Sequence, residues 1–244
     1  MPLQPHIKLE QVDEICLLSG NPDRVPKIAK HLQNAKEVAN YRGLIAYKGV
    51  TPTKQIPVTI LTTGMGAAST AITLEEAYKA GGRIFIRVGS CGALQEQHSL
   101  GTIFIPHGAI RDEQTSRQLI PLEYPAVADP ELYQTLINSA KELQEEVPLG
   151  LVWTTDIYYD SDDSKLKLWY TYGAVCVEME SALLFSFQGL KQGIKVASIL
   201  TADGNIQDHQ SIYNGDTIKR VKFFREKVEK SIKITIHAIE SISN

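Results

Sequence analysis

The sequence predicts an α/β fold: a single-domain three-layer sandwich with a central mixed, twisted sheet flanked by helices. Three observations carry this expectation. Short apolar runs alternate with longer segments of helical period along the 244 residues. No repeat, low-complexity tract or linker breaks the alternation, so residues 1–244 read as one domain. The chain is 43% hydrophobic and 22% charged, enough for a sizeable core beneath a solvated surface.

The elements follow in order. ICLLSG, from Ile15 to Gly20, reads as a buried strand and the turn that ends it. RVPKIAKHL then reads as a helix, with Pro26 tolerated in its first turn. LIAYKG and VTILTTG have the composition of strands, and STAITLEEAYKAGG has a helical period with a stop at Gly81-Gly82. RIFIRVGS and TIFIP read as strands. DPELYQTLINSAKEL opens a helix with Asp129 as N-cap and Pro130 at the first position. LGLVWTT, AVCVEM and KVASILTADG read as strands, and a long amphipathic helix runs from about Asp216 to Ile239.

Charge and composition exclude several function classes. A net charge of −3 leaves no basic field for nucleic acid or an anionic membrane, so any positive site must be local. No apolar stretch reaches the length of a transmembrane helix, and MPLQPHIKLEQVDE has no apolar signal core. Cys16, Cys91 and Cys176 form no CxxC spacing and are odd in number, so neither a disulfide framework nor a zinc site is expected. The cytoplasm is the expected compartment. His31, His98, His107, His209 and His237 lack the spacing of a helical metal site and read as surface or packing residues. Trp153, Trp169 and the Tyr158-Tyr159 pair read as core, and YDSDDS as a solvated loop. No G-x-S-x-G elbow supports a serine triad.

In folds of this kind ligands bind beyond the strand ends, and four constellations fall there. In SGNPDR, Gly20 lets backbone N–H groups face a ligand, the next helix start favours an anion, and Arg24 completes a cradle; an ordinary Asn-Pro turn fits too. In IRVGSCGAL, Arg87 and Ser90 flank Gly89 at the end of an apolar strand. An arginine fork and a hydroxyl suit phosphate oxygens, and a buried arginine needs a partner. In VCVEMES, Glu178 and Glu180 are two apart, which places them on one face of an extended segment. A buried carboxylate there could accept two hydroxyls of a vicinal diol; a helix N-terminus favouring acids is the other reading. In ILTADG, Asp203 after an apolar strand could be a general acid, although Asp-Gly is also a common turn.

Taken together and in this order, PHI, GNPDR, YRG, TTGMG, RVGSCGAL, TTDIYY, VEMES and TADG resemble the nucleoside phosphorylase family of the hexameric purine nucleoside phosphorylase and uridine phosphorylase type. The resemblance runs from His6 to the C-terminal helix. It implies that Gly20, Arg24, Arg87 and Ser90 hold inorganic phosphate, joined by Arg42 from a neighbouring subunit. It implies that Glu180 accepts the ribose hydroxyls over Met179, that His6 of the neighbour approaches the 5′ end, and that Cys91, Gly92, Tyr158 and Glu178 surround the base. Asp203 would protonate the purine N7 as the glycosidic bond breaks.

The implied activity is phosphorolysis of a purine nucleoside to free base and ribose 1-phosphate. Phosphate is the co-substrate, no metal or organic cofactor is required, and the chain forms a homo-oligomer, a hexamer or a dimer, with shared sites. Uridine phosphorylase and methylthioadenosine phosphorylase share this fold, and a nucleoside-binding protein without catalysis is the reading from a different class. The Gln-x-Arg pair that reads uracil is absent near YYDSDDSKLK, and TADG suits a purine. Family nucleosidases lack the phosphate arginines. Two departures stand out: Asn21 replaces the usual aspartate of Gly-Asp-Pro, and no arginine sits in clear register behind Asp203, Arg220 being the nearest candidate.

Overall fold

The computed structural model describes residues 5–159, 162–207, 210–212 and 216–242. In chain order the strands are β1 Ile15–Ser19, β2 Gln33–Tyr41, β3 Leu44–Val50, β4 Pro57–Thr62, β5 Ile84–Ala93, β6 Ile103–Phe104, β7 Gly108–Asp112, β8 Leu151–Thr155, β9 Ala174–Glu178, β10 Lys195–Asn205 and β11 Gln210–Ser211. The helices are α1 Val25–Ala29, α2 Ala67–Lys79, α3 Gln114–Leu119, α4 Pro130–Glu142, α5 Ser164–Thr171, α6 Ser181–Leu190 and α7 Thr217–Ser241, with a single 3₁₀ turn over Pro22–Arg24.

Among the described residues all these strands belong to one mixed sheet, along the path β2-β3-β4-β1-β5-β9-β8-β7 with β10 also paired to β5. Its centre is parallel: β1 runs beside β4 and β5, and β5 beside β10. Buried on both faces, these strands are nearly continuous in apolar residues. Alternation splits them between two cores. Ile15, Leu17, Ile86 and Val88 face a core closed by Val25 and Ile28 of α1, Leu132 and Leu136 of α4, and Ile232 and Ile239 of α7. Cys16, Leu18 and Phe85 face Leu74 of α2 and Leu184 and Phe185 of α6. Helices on both faces give the expected three layers.

Parallel strands end on one edge, which brings Ser19 of β1, Arg87 to Ser90 of β5 and Asp203 of β10 together. β10 carries its pairing past TADG to Asn205, so Asp203 is not in a turn. It is the extra residue of a bulge: Ala202 pairs with Cys91 and Gly204 with Gly92, and Asp203 is skipped. Bulges re-aim a side chain at the end of a strand.

Several expectations are revised. The first helix is only Val25–Ala29, because the chain turns at Lys30-His31 into β2. Tyr158 and Tyr159 are not core; they are 68% and 91% exposed and meet edge to face in the loop after β8. Trp153 is buried, with its indole N–H bonded to Asp112. His31 pairs with Glu229, and His237 with Glu142. His209, the Asp160-Ser161 step of YDSDDS and part of the segment before Arg220 lie outside the described residues. Among the described residues no helix is long and apolar enough to cross a membrane.

Candidate active site

The site grows from the 3₁₀ turn after β1. Asn21 accepts the Asp23 N–H on its Oδ1 at 2.8 Å, which starts the turn. A side-chain oxygen is all this position uses, so asparagine serves where an aspartate would. The turn swings Arg24 inward until it is 7% exposed. There its guanidinium donates to the Val88 carbonyl at 3.0 Å and to Ser90 Oγ at 2.5 Å.

Arg87 enters from the middle of β5 and is 5% exposed. Its Nε donates to Glu178 at 3.1 Å and its Nη2 lies 2.5 Å from Glu180 Oε2. Its Nη1 is buried and has no hydrogen-bond partner among the described residues. A buried donor of this kind is costly unless a ligand satisfies it. Beside it, Gly20 is bare: a Cβ there would stand 3.0 Å from the Gly64 carbonyl and 3.8 Å from Arg87 Nη1. Gly20, Arg24, Arg87 and Ser90 therefore form one cradle in which a side chain at position 20 would intrude.

The glutamates sit where β9 passes into α6. Glu178 ends the strand and Glu180 occupies the N-cap position of the helix. Both readings of VEMES thus meet in one segment. Glu178, expected beside the base, has its carboxylate occupied by donors of this chain: Thr154 Oγ1 at 2.7 Å, Arg87, and the N–H groups of Glu180 and Ser181. Glu180 accepts the Gly66 N–H at 2.6 Å as well as Arg87. Gly66 has φ of +84°, a conformation glycine adopts freely at the start of α2. Met179 is half-buried between the two acids.

Burial decides the electrostatics. It lowers Arg24 to about 10, with Arg87 adding repulsion and Asp203 opposing the shift. For Arg87 burial acts downward, yet Glu180 and Glu178 hold it above the ordinary value. Burial raises the Glu180 carboxyl, partly offset by Arg87. It raises Asp203 to about 6, while nearby Arg24 pulls the other way. Cys91, buried against Cys176, is raised well above a normal thiol and is inert. Gly92 lies under Ile206, whose Cδ1 would be 2.9 Å from a Cβ there.

Two expected residues make no hydrogen bond or ion pair with the cradle among the described residues. Arg42 is exposed at the tip of the β2–β3 hairpin, and its side chain makes no hydrogen bond or ion pair among the described residues. His6 is held by Glu76, which accepts its backbone N–H at 2.6 Å and faces its Nδ1 at 2.7 Å. Lys8 lies 4.7 Å over the Tyr41 ring, so the His6 segment and the hairpin tip are neighbours. Arg220 does not bond to Asp203; it donates to the Ser211 carbonyl at 3.1 Å, in the strand that folds back on Asp203. The sequence reading missed Thr154, Ser181, Gly66 and Glu76. TTDIYY, VEMES and TTGMG contain three of them, but their partners are distant in the chain and no spacing rule joins them.

The fold and site define an α/β protein with two buried arginines and paired carboxylates at the carboxyl edge of parallel strands. Residues 14–240 match the family model described as the phosphorylase superfamily, and the chain belongs to that family. A guanosine phosphorylase of Halorubrum lacusprofundi is 32% identical over 246 residues, covering 99% of this chain and 100% of that protein. The solved structure of uridine phosphorylase from Vibrio fischeri superposes with a TM-score of 0.89 at 30% identity, covering 99% of both chains. That of purine nucleoside phosphorylase from Toxoplasma gondii in complex with immucillin-H gives 0.87 at 28% identity, covering 98% of this chain and 95% of the other. The chain is a nucleoside phosphorylase, a transferase of the pentosyl type.

Proposed function

We propose that the nucleoside is a purine and that the reaction is its phosphorolysis to free base and ribose 1-phosphate. The observation that carries this reading is Asp203: a carboxyl aimed by a bulge, set beside Arg24, with its pKa raised to about 6. A purine departs more easily when N7 gains a proton, and a carboxyl of this pKa keeps a protonated fraction near neutral pH, where an ordinary aspartate keeps almost none. The Gln-x-Arg pair expected of a uracil site is absent from the sequence. The similarity to guanosine phosphorylase points the same way.

The chemistry follows from the cradle. Inorganic phosphate lies against Gly20, between Arg24, Arg87 Nη1 and Ser90. Two arginines neutralise its charge and aim one oxygen at the anomeric carbon. Glu180 accepts the ribose hydroxyls, fixing the sugar above Met179. The C–N bond breaks toward an oxocarbenium-like ribosyl group, the phosphate oxygen forms the new C–O bond, and the bond electrons go to the base. Asp203 delivers the proton to N7. No step calls for a metal or organic cofactor.

Arg42 and His6 complete the site of a neighbouring copy in this reading. Arg42 is exposed and His6 partly so, and the two segments are neighbours through Lys8 and Tyr41. The Vibrio fischeri likeness favours uridine as a second reading. A panel of inosine, guanosine, adenosine, methylthioadenosine and uridine, each with and without phosphate, separates the two. Phosphate-dependent release of a purine base is expected. Release of uracil alone establishes the second reading, and release without phosphate overturns both.

A further inference from the structure

A helix start leaves its first N–H groups without intrahelical partners, and the N-cap side chain normally accepts one of them. At α6 the N-cap residue is Glu180, and its side chain caps nothing. The N–H groups of Glu180 and Ser181 go instead to Glu178, at 2.9 Å each. The N–H of Ala182 goes to Thr154 Oγ1, at 3.0 Å. The capping is thus supplied by the strand before the helix and by its neighbour β8, where Thr154 pairs with Glu178. Glu180 is thereby released to face Arg87 and Gly66.

The Thr154 hydroxyl has one proton. It accepts from Ala182, and its own proton goes to Glu178 Oε1 at 2.7 Å. That bond fixes the carboxylate whose other oxygen receives Arg87 Nε at 3.1 Å. Thr154 is fully buried, and Glu178 nearly so, so both are shielded from bulk water. The hydroxyl, with the N–H groups of Glu180 and Ser181, therefore sets the plane of Glu178, and Glu178 in turn holds the Arg87 fork and the backbone from which Glu180 projects. A guanidinium held at Nε and Nη2 can turn its free Nη1 in only one direction, toward the space beside Gly20.

We propose that Thr154 is a positioning residue of this enzyme, acting through Glu178 to aim Arg87 and Glu180. The inference rests on the reading of the cradle as a phosphate site. It gives Glu178 a role inside the protein rather than against the base.

The test is steady-state phosphorolysis of the nucleoside that the wild type cleaves best, with phosphate varied at saturating nucleoside. The enzymes compared are wild type, Thr154→Val, Thr154→Ser and Glu178→Gln. Thr154→Val keeps shape and removes the hydroxyl; its KM for phosphate should rise about tenfold, the size of one lost hydrogen bond to a charged group. Thr154→Ser keeps the hydroxyl and should recover most of that loss. Glu178→Gln presents an amide to Arg87 and should raise the phosphate KM by a similar factor. A residue that merely caps a helix would lower Tm and leave the phosphate KM unmoved. A phosphate KM within about twofold of wild type in folded Thr154→Val overturns the inference. Where that variant does not fold, Glu178→Gln decides by the same criterion. Wild-type activity without phosphate dependence overturns the phosphate reading and this inference with it.

Discussion

Asp203 is held where an aspartate is uncomfortable. Its carboxyl titrates near 6 because burial disfavours the charge, and Arg24 offsets this only in part. The folded protein therefore binds this proton more tightly than the unfolded chain does. Ionising the group opposes folding: the cost is absent well below the ordinary aspartate value of 3.8, where both states are protonated, grows from there, and is complete above the folded pKa of about 6. Asp203→Asn should raise Tm at about pH 8 and change it far less at about pH 4, as read by calorimetry. Turnover should move the other way. Loss of a general acid costs roughly a hundredfold or more in kcat for a purine nucleoside, with phosphate binding kept. The ratio of wild-type to variant rates should fall as pH rises through about 6, where the wild-type carboxyl loses its proton. An unchanged kcat would remove Asp203 from the reaction.

Local rules govern some elements and fail for others. DP before ELYQ gives α4: Asp129 accepts the Leu132 N–H at 2.9 Å and Pro130 fills the first position. Asp129→Ala should cost about 1 kcal/mol, seen as a lower urea midpoint with unaltered kcat. In α7, Val228, Ile232, Thr235 and Ile239 recur with helical period and face the core, which made its span legible. β2 was not legible, because QNAKEVANY is polar and stands at the sheet edge, paired among the described residues to β3 alone. α6 was hidden for the opposite reason. SALLFSF is buried on every side, so it shows no amphipathic period. α5 buries no residue completely and offers no stripe either.

At the scale of the whole molecule, no hydrogen bond or ion pair among the described residues joins the cradle to Arg42 or His6. If the proposed sharing holds, each subunit lends Arg42 to its neighbour. Arg24→Ala and Arg42→Ala should each weaken phosphate use by the homo-oligomer. Mixed after gentle dissociation, the two variants should regain activity, because a hybrid contains sites with Arg24 from one chain and Arg42 from the other. Sedimentation must show an oligomer in each preparation. Activity in the mixture no greater than in the separate variants would place Arg42 outside the neighbour's site.

The sequence by itself determined the strand–helix alternation, the absence of a basic field, and the motifs at the strand ends: SGNPDR, RVGSCGAL, VEMES and TADG. These are properties of adjacent residues, set by propensity, period and glycine placement. Only the tertiary structure decided whether Asp203 was a turn or a bulge, since that depends on β10 continuing its pairing with β5 to Asn205. It alone showed the unpartnered Arg87 Nη1 facing a bare Gly20, because Gly20 follows β1 while Arg87 lies on β5, and the cost of a buried donor appears only once the sheet is closed. It alone gave Glu178 to Thr154, Ser181 and Arg87, because hydrogen bonds among residues distant in the chain follow from how strands are laid side by side, and no local pattern encodes that.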